Sequence, residues 1–164
     1  MFHSPIECSH CPSKDLGIFC GLHDPELQEL ADHKIENTYK KGQTLFMEGN
    51  PTYGIFCISK GNIKIFKNDE NGQESIVRIA TSGDVVGHRS LFSEEHYSAT
   101  ATALEDSEIC FIDKKYILQL IEKNPNIALN LIQKLSKDLG QSENKIASFS
   151  TKNVREKFAE FLII

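Results

Sequence analysis

Glycines at regular intervals constrain the fold of this chain more than any other feature of its sequence. They separate short segments rich in Ile, Val, Phe, Thr and Tyr between Ile35 and Ile112, at Gly42, Gly49, Gly61, Gly72 and Gly83. Short strands joined by turns at this spacing are typical of antiparallel sandwiches and barrels. The sequence therefore predicts a mainly β domain, and the segments on either side of it predict flanking helices.

One hairpin in this region is specified by its turn. The residues from Asp69 to Gly72 end in Asn-Gly, a pair that accepts the positive φ angles of a tight turn. The expected strands are Ile35 to Tyr39, Thr44 to Glu48, Gly54 to Ser59, Asn62 to Asn68, Ser75 to Ala80, Tyr97 to Ala103 and Ser107 to Asp113.

Capping signals mark three helices around the β region. Asp24 followed by Pro25 predicts an N-cap and the first helical position of a short helix. Asp113 is expected to cap a second helix, and Asn124-Pro125 repeats the signal for a third.

The third helix carries a narrow apolar seam. Steps of four and three residues form a heptad pattern, which is typical of a helix that pairs with another helix. We expect a homodimer, with packing on the chain's own β domain as the alternative. The seam consists of Ala128, Ile132, Leu135, Leu139, Ser142, Ile146 and Phe149.

These patterns divide the chain into four segments. Residues 1–22 form a cysteine-bearing leader, and residues 23–123 form the β domain with its flanking helices. Residues 124–150 form the candidate dimerisation helix, and residues 151–164 begin a further helix with an apolar end.

Charge and composition exclude several classes of protein. Eighteen Lys and Arg against twenty-three Asp and Glu give 18 − 23 = −5, so the chain as a whole does not attract nucleic acid. No apolar run is long enough for a bilayer span and no secretion signal begins the chain, so we expect a cytoplasmic protein without a membrane. In a reducing cytoplasm, the five cysteines are expected to be core residues or metal ligands.

Four motifs, in order and spacing, resemble successive stretches of the sensory domain of the CRP/FNR transcription regulators. They are Lys41 to Gly49, Ile58 to Ile65, Ser82 to Gly87 and Ala103 to Cys110. The resemblance implies a double-stranded β-helix, or jelly roll, of the cyclic-nucleotide-binding type, followed by a long dimerisation helix. It also implies a homodimer that contacts DNA only through a helix-turn-helix domain, and this sequence stops where that domain would begin.

The resemblance also places a degenerate nucleotide pocket at Gly87, His88, Arg89, Tyr97 and Ser98. Members that bind cyclic AMP carry a Glu for the ribose and an Arg for the phosphate, and these positions are His88 and Tyr97 here. A buried phosphate needs a cation, so the two changes argue against cyclic AMP. Arg89 is offset by one residue, which is about 100° on a helix, and we expect it at the surface.

The leader cysteines are candidate metal ligands. Cys8 and Cys11 have the C-x-x-C spacing that zinc sites and iron–sulfur clusters share. In oxygen-sensing members of the family, a [4Fe–4S] cluster is held by such a pair, a third leader cysteine and a strand cysteine in a Leu-Glu-x-Ser-x-x-Cys motif. Residues 104–110 reproduce that motif, so the resemblance implies Cys8, Cys11, Cys20 and Cys110.

Other interpretations of the cysteines stay open, and the cofactor is unknown. Eight residues separate Cys11 from Cys20, more than in the oxygen-sensing members, and this leaves the identity of the metal undecided. Zinc, held by the leader cysteines with His10 or His23, is one alternative, and the absence of a metal is another. Cys57 is expected to be a core residue of a central strand.

Two hypotheses for function follow. The first is the sensory half of a CRP/FNR-type DNA-binding transcriptional regulator that signals through a homodimer helix, with an oxygen-labile iron–sulfur cluster as a candidate sensor. The alternative is a cyclic-nucleotide receptor that acts on a protein partner without binding DNA. An enzyme is not expected, because no nucleophile is paired with a base at useful spacing and no glycine-rich phosphate loop precedes a helix.

Overall fold

A computed structural model describes residues 8, 11, 14 and 17–151 of the chain, with side chains up to residue 147. The chain forms two compact units, Met1–Asn130 and Leu131–Ile164. All of the β structure among the described residues lies in the first unit.

The first unit is built on two antiparallel four-stranded sheets. Sheet A has the strand order β1-β8-β3-β6 and sheet B has the order β2-β7-β4-β5. This mainly β architecture confirms the predicted fold class. The strands are β1 (Ile35–Tyr39), β2 (Thr44–Phe46), β3 (Gly54–Lys60), β4 (Ile63–Asn68), β5 (Glu74–Ala80), β6 (Val85–Val86), β7 (Thr100–Ala103) and β8 (Ser107–Asp113).

Two expectations about the strands are wrong. The predicted strand from Tyr97 to Ala103 begins only at Thr100, because Tyr97 lies in an irregular segment whose backbone bonds to Gly49 and Asn50. Strand β6 was also not predicted, since its two valines are too few to show an alternating pattern.

The hairpin between β4 and β5 confirms the predicted turn, with one difference. Gly72 has a φ of +79°, whereas the φ of Asn71 is not positive. Only one residue of the turn therefore adopts a positive φ. The carboxylate of Asp69 accepts hydrogen bonds from the backbone N–H groups of Asn71 and Gln73, at 2.9 and 2.8 Å.

Four helices accompany the sheets in the part of the chain from residue 17 to 151: α1 (Asp24–His33), α2 (His88–Phe92), α3 (Lys114–Lys123) and α4 (Asn126–Thr151). Asp24 is not the N-cap of α1, as we expected, because it is already helical and His23 occupies the cap position. Asp113 caps α3 as predicted, accepting a 3.0 Å hydrogen bond from the Tyr116 N–H. The side chain of Asn124 likewise accepts from the Asn126 N–H at the start of α4.

The central strand β3 of sheet A is buried on both of its faces, and this positions the candidate site. Phe56 and Ile58 of β3 belong to the apolar cluster inside the roll, together with Ile63 and Ala101 of sheet B. Since side chains alternate along a strand, Cys57 between them faces the other side of the sheet. Leu27 and Leu30 of α1 lie on that outer side, where they line a pocket with Cys57.

Candidate functional site

Two cysteines meet on the outer face of sheet A. Cys57 of β3 and Cys110 of β8 are direct partners in the antiparallel register, and both are buried. Glu36 of β1 is paired with Cys110 on its other side. Opposite residues of an antiparallel pair share a face of the sheet, so the three side chains form a row.

The leader brings two more cysteines to the same place. Cys8 and Cys11 line a pocket with Cys57 and Cys110, and the Cys11 N–H donates to the Cys8 carbonyl at 3.3 Å. The enclosed part of the pocket measures about 30 Å³. Four of the five cysteines of the chain therefore line one pocket, whose remaining walls include Phe19, Leu27, Leu30 and Ile112.

Lys34 is a buried cation at this pocket. Its side chain is only 4% exposed, and its ammonium lies 2.8 Å from the Glu36 carboxylate. Burial by itself lowers the pKa of Lys34, but the hydrogen bond to the Glu36 carboxylate and the charge of that carboxylate act in the opposite direction, and the pKa is raised. The ammonium therefore stays charged beside the thiols.

The pocket raises the pKa of three thiols, those of Cys8, Cys57 and Cys110. Burial raises the pKa of Cys110 to about 12, although the charge of Lys34 opposes the shift. Burial also raises the pKa of Cys57 and of Cys8, and in Cys8 the charge and hydrogen bond of Lys34 act in the opposite direction. Thiols in this state are protonated and inert at neutral pH until a metal displaces the protons.

Cys20, the fourth ligand implied by the family resemblance, lies elsewhere. Its side chain is exposed, and it is not among the residues that line the pocket. The side-chain amide of Asn130 donates to the carbonyls of Ile18 and Cys20, at 3.1 and 2.8 Å. The turn that carries Cys20 is therefore attached to the first part of α4.

The described thiols are not arranged around a point. Within the part of the chain that the structure describes, no three His, Cys, Asp or Glu side chains are close enough to hold one metal ion. His10, a candidate zinc ligand, lies outside the described residues, and His23 is exposed.

The degenerate nucleotide pocket is partly filled by the protein itself. Tyr97 is buried, its ring stacks on Phe46 at a centroid distance of 4.0 Å, and its hydroxyl donates to the Gly54 carbonyl at 3.3 Å. Gly87 has a φ of +84°, and a Cβ there would lie 3.2 Å from the Tyr97 ring. The aromatic ring thus belongs to the roll interior at the position where the resemblance places a phosphate-binding Arg.

The remaining positions of this pocket separate into buried and exposed residues. His88 is buried at the start of α2, whereas Arg89, next to it, is exposed. Ser98 is partly buried, and its backbone N–H donates to the hydroxyl of Ser90 at 3.3 Å. The one arginine of the set therefore faces solvent.

The seam predicted on α4 is exposed along the part of the helix whose side chains are described. Ile132, Leu139 and Ile146 are 57, 60 and 66% exposed, at intervals of seven residues. Ala128 and Leu135 are partly buried, and the side chain of Phe149 lies outside the described residues. None of the helices among the described residues is long and apolar enough to cross a bilayer.

Two functional candidates were missed by the sequence analysis. Cys57 was assigned to the core, since its strand is apolar throughout and shows no alternation that would reveal its face. Lys34 follows α1 without any motif around it. The only sequence signal for Cys57 is the number of cysteines in a short chain, and no sequence signal marks Lys34.

Comparisons with known proteins agree with the architecture. The sequence pattern of the "Cyclic nucleotide-binding domain" family matches residues 36–124. The "Fumarate and nitrate reduction regulatory protein" of Escherichia coli K12 is 33% identical over 159 residues, covering 96% of this chain and 63% of that protein. This chain thus spans less than two thirds of the length of that relative.

Two solved structures are similar in fold and, at a lower level, in sequence. The sensor domain of the transcriptional regulator DNR from Pseudomonas aeruginosa has a TM-score of 0.68 and 28% identity, covering 77% of this chain and 85% of that one. The catabolite activator protein of Thermus thermophilus has a TM-score of 0.72 and 26% identity, covering 81% of this chain and 62% of that one. All three proteins are named as regulators or activators, and none as an enzyme.

Three observations point to the same family: the jelly roll, the long helix after it, and the sequence identity to a regulator over nearly the whole chain. The chain belongs to the CRP/FNR family of transcriptional regulators, and its β-roll is the cyclic-nucleotide-binding-type sensor domain of that family.

Proposed function

We propose that this chain is the sensory part of a homodimeric DNA-binding regulator, controlled by an oxygen-labile iron–sulfur cluster between leader and β-roll. Residues 1–22 form the leader, residues 23–123 the sensor and residues 124–150 the dimerisation helix. Residues 151–164 lead toward a helix-turn-helix domain that contacts DNA. The observation that carries the proposal is the convergence of leader and strand cysteines on one pocket.

The chemistry of the pocket favours a thiolate-bound group. Soft thiolates select iron–sulfur clusters, zinc or copper(I), and walls of Phe and Leu exclude water from such a group. A single tetrahedral zinc ion draws its sulfur ligands within about 2.3 Å of itself, and the described cysteines are not gathered in this way. A cluster is wider than one ion, so it suits thiols spread around a pocket.

The thiols and Lys34 have different roles in binding a cluster. Each thiol gives up its proton on binding iron, which leaves several negative charges in an apolar site. The ammonium of Lys34 lies beside these thiols, where the Glu36 carboxylate 2.8 Å away orients it and shares its charge. A bound cluster of this type would supply sensitivity to oxygen, because oxygen would break it apart.

A physical connection runs from the pocket to the helix that pairs the subunits. Phe19 lines the pocket, and its neighbours Ile18 and Cys20 accept hydrogen bonds from Asn130 of α4. A ligand shifts a conformational equilibrium only if it binds the two states unequally. A cluster that fixes the leader meets this condition, because its loss releases the turn that holds Asn130.

The exposed seam of α4 supports the homodimer. Its apolar side chains recur every seven residues and are exposed to water, which is unfavourable in free energy. Pairing with a second copy would bury them. The polar residues beside them, among them the ion pair of Lys134 and Asp138 at 3.0 Å, keep the rest of the helix soluble.

A cyclic-nucleotide receptor is the alternative function, and the site geometry weighs against it. The two charge-assisted contacts of nucleotide-binding members are missing, and each contributes about 1.5–3 kcal/mol. Tyr97 occupies the roll interior instead, in contact with Phe46.

Protein purified without air is expected to be coloured, to contain iron and acid-labile sulfide, and to change its oligomeric mass when oxygen is admitted. Absorption spectra, metal analysis and light scattering measure these three properties. Colourless, iron-free protein whose mass does not respond to oxygen would remove the cluster from the proposal.

Leu139→Glu is expected to weaken the dimer by at least about 100-fold. Two copies of a buried leucine contribute about 3 kcal/mol or more, and two carboxylates would face each other across the seam. Gln141→Glu adds the same charge on an exposed residue outside the seam and should leave association unchanged. Sedimentation equilibrium compares the variants, and equal dissociation constants would contradict the assigned interface.

Titration calorimetry with cyclic AMP and cyclic GMP is expected to show no binding at micromolar concentrations. The loss of two contacts lowers affinity by about 3–6 kcal/mol, or roughly 100-fold to 10,000-fold. Saturable micromolar binding of either nucleotide would favour the receptor instead.

A further inference from the structure

We propose that Cys57, and not Cys20, supplies the fourth thiolate of the cluster site. This inference rests on the proposed function, because it names a ligand of the same pocket.

The strand register places Cys57 directly beside an expected ligand. Cys57 and Cys110 are opposite one another in the pairing of β3 with β8. Side chains at opposite positions share a face, with their Cβ atoms about 4.5–5.5 Å apart. Because Phe56 and Ile58 point into the roll, both cysteines point out of it, toward the leader.

The leader cysteines complete the set from the other side. Cys8 and Cys11 line the same pocket as Cys57. Its thiol therefore faces the pocket together with those of Cys8, Cys11 and Cys110.

Cys20 is held on the opposite side of its turn. Phe19 is 3% exposed and lines the pocket, whereas the next residue, Cys20, is exposed to solvent. To turn the Cys20 side chain inward, the chain would have to withdraw Phe19 and break both hydrogen bonds from Asn130. Cys57 requires no such rearrangement.

The charge balance is also better served by the buried set. Lys34 lines the same pocket as Cys8, Cys57 and Cys110. Its ammonium is held 2.8 Å from the Glu36 carboxylate and lies beside the thiolates that would form there.

A matched pair of substitutions in the full chain tests the assignment. Cys20→Ala, prepared without air, is expected to keep the iron and sulfide content and the visible absorption of the unaltered protein. Cys57→Ala should contain at least about tenfold less iron, since even second-shell changes at metal sites cost 10–100-fold in affinity. Thermal unfolding of the metal-free variants checks that each one folds.

A second measurement needs no substitution. Cysteine alkylation of the iron-loaded protein under argon, followed by mass spectrometry, is expected to modify Cys20 and to leave Cys57 and Cys110 unmodified. Modification of Cys20 shows that Cys20 is not a ligand even if Cys57→Ala does not fold, whereas the buried Cys57 and Cys110 resist alkylation with or without iron. Protection of Cys20 that disappears when a chelator removes the iron would overturn the inference.

The outcomes separate this inference from the function on which it rests. If the unaltered protein holds a cluster and Cys20→Ala loses it, the assignment of Cys57 is wrong and the proposed sensor stands. If the unaltered protein contains no iron at all, both are wrong.

Discussion

The antiparallel pairing of β3 with β8 is the interaction on which the rest of this structure depends. One face of the pair closes the interior of the roll through Phe56, Ile58 and Ile109. The other face presents Cys57 and Cys110 to the leader. A shift of register by one residue would exchange the two faces, so the packing that fixes the core also fixes the thiols.

The structure separates two places where a sensor of this fold can bind a signal. The interior of the roll is occupied by stacked aromatic rings, with Phe46 between Phe56 and Tyr97. The outer face of sheet A instead carries an open pocket lined by thiols and a buried ammonium. On our account, the site that responds lies outside the roll and next to the turn that Asn130 holds, while the interior serves as a core.

Local patterns predicted the fold well and the site only in part. The hairpin at Gly72 and the cap at Asp113 are set by residues close in sequence, and both are seen. The seam on α4 is also a local pattern, and three of its residues are exposed at intervals of seven. Cys8, Cys11 and Cys110 were identified through motifs, and they do share a pocket. The place of Cys57 depends on a pairing between strands about fifty residues apart in a segment that is apolar on both faces. Spacing alone does not carry such information, nor does it show that Phe19 turns inward and Cys20 outward.

The central claim is that the state of the thiol pocket is transmitted through the leader turn to α4. Hydrogen exchange of the iron-loaded protein, measured before and after exposure to air, tests this claim most directly. The account predicts that loss of iron lowers protection in the turn around Ile18 and Cys20 and in the first turns of α4, with β4 and β5 unchanged. Iron loss that leaves exchange in that turn and in α4 unaltered would contradict it.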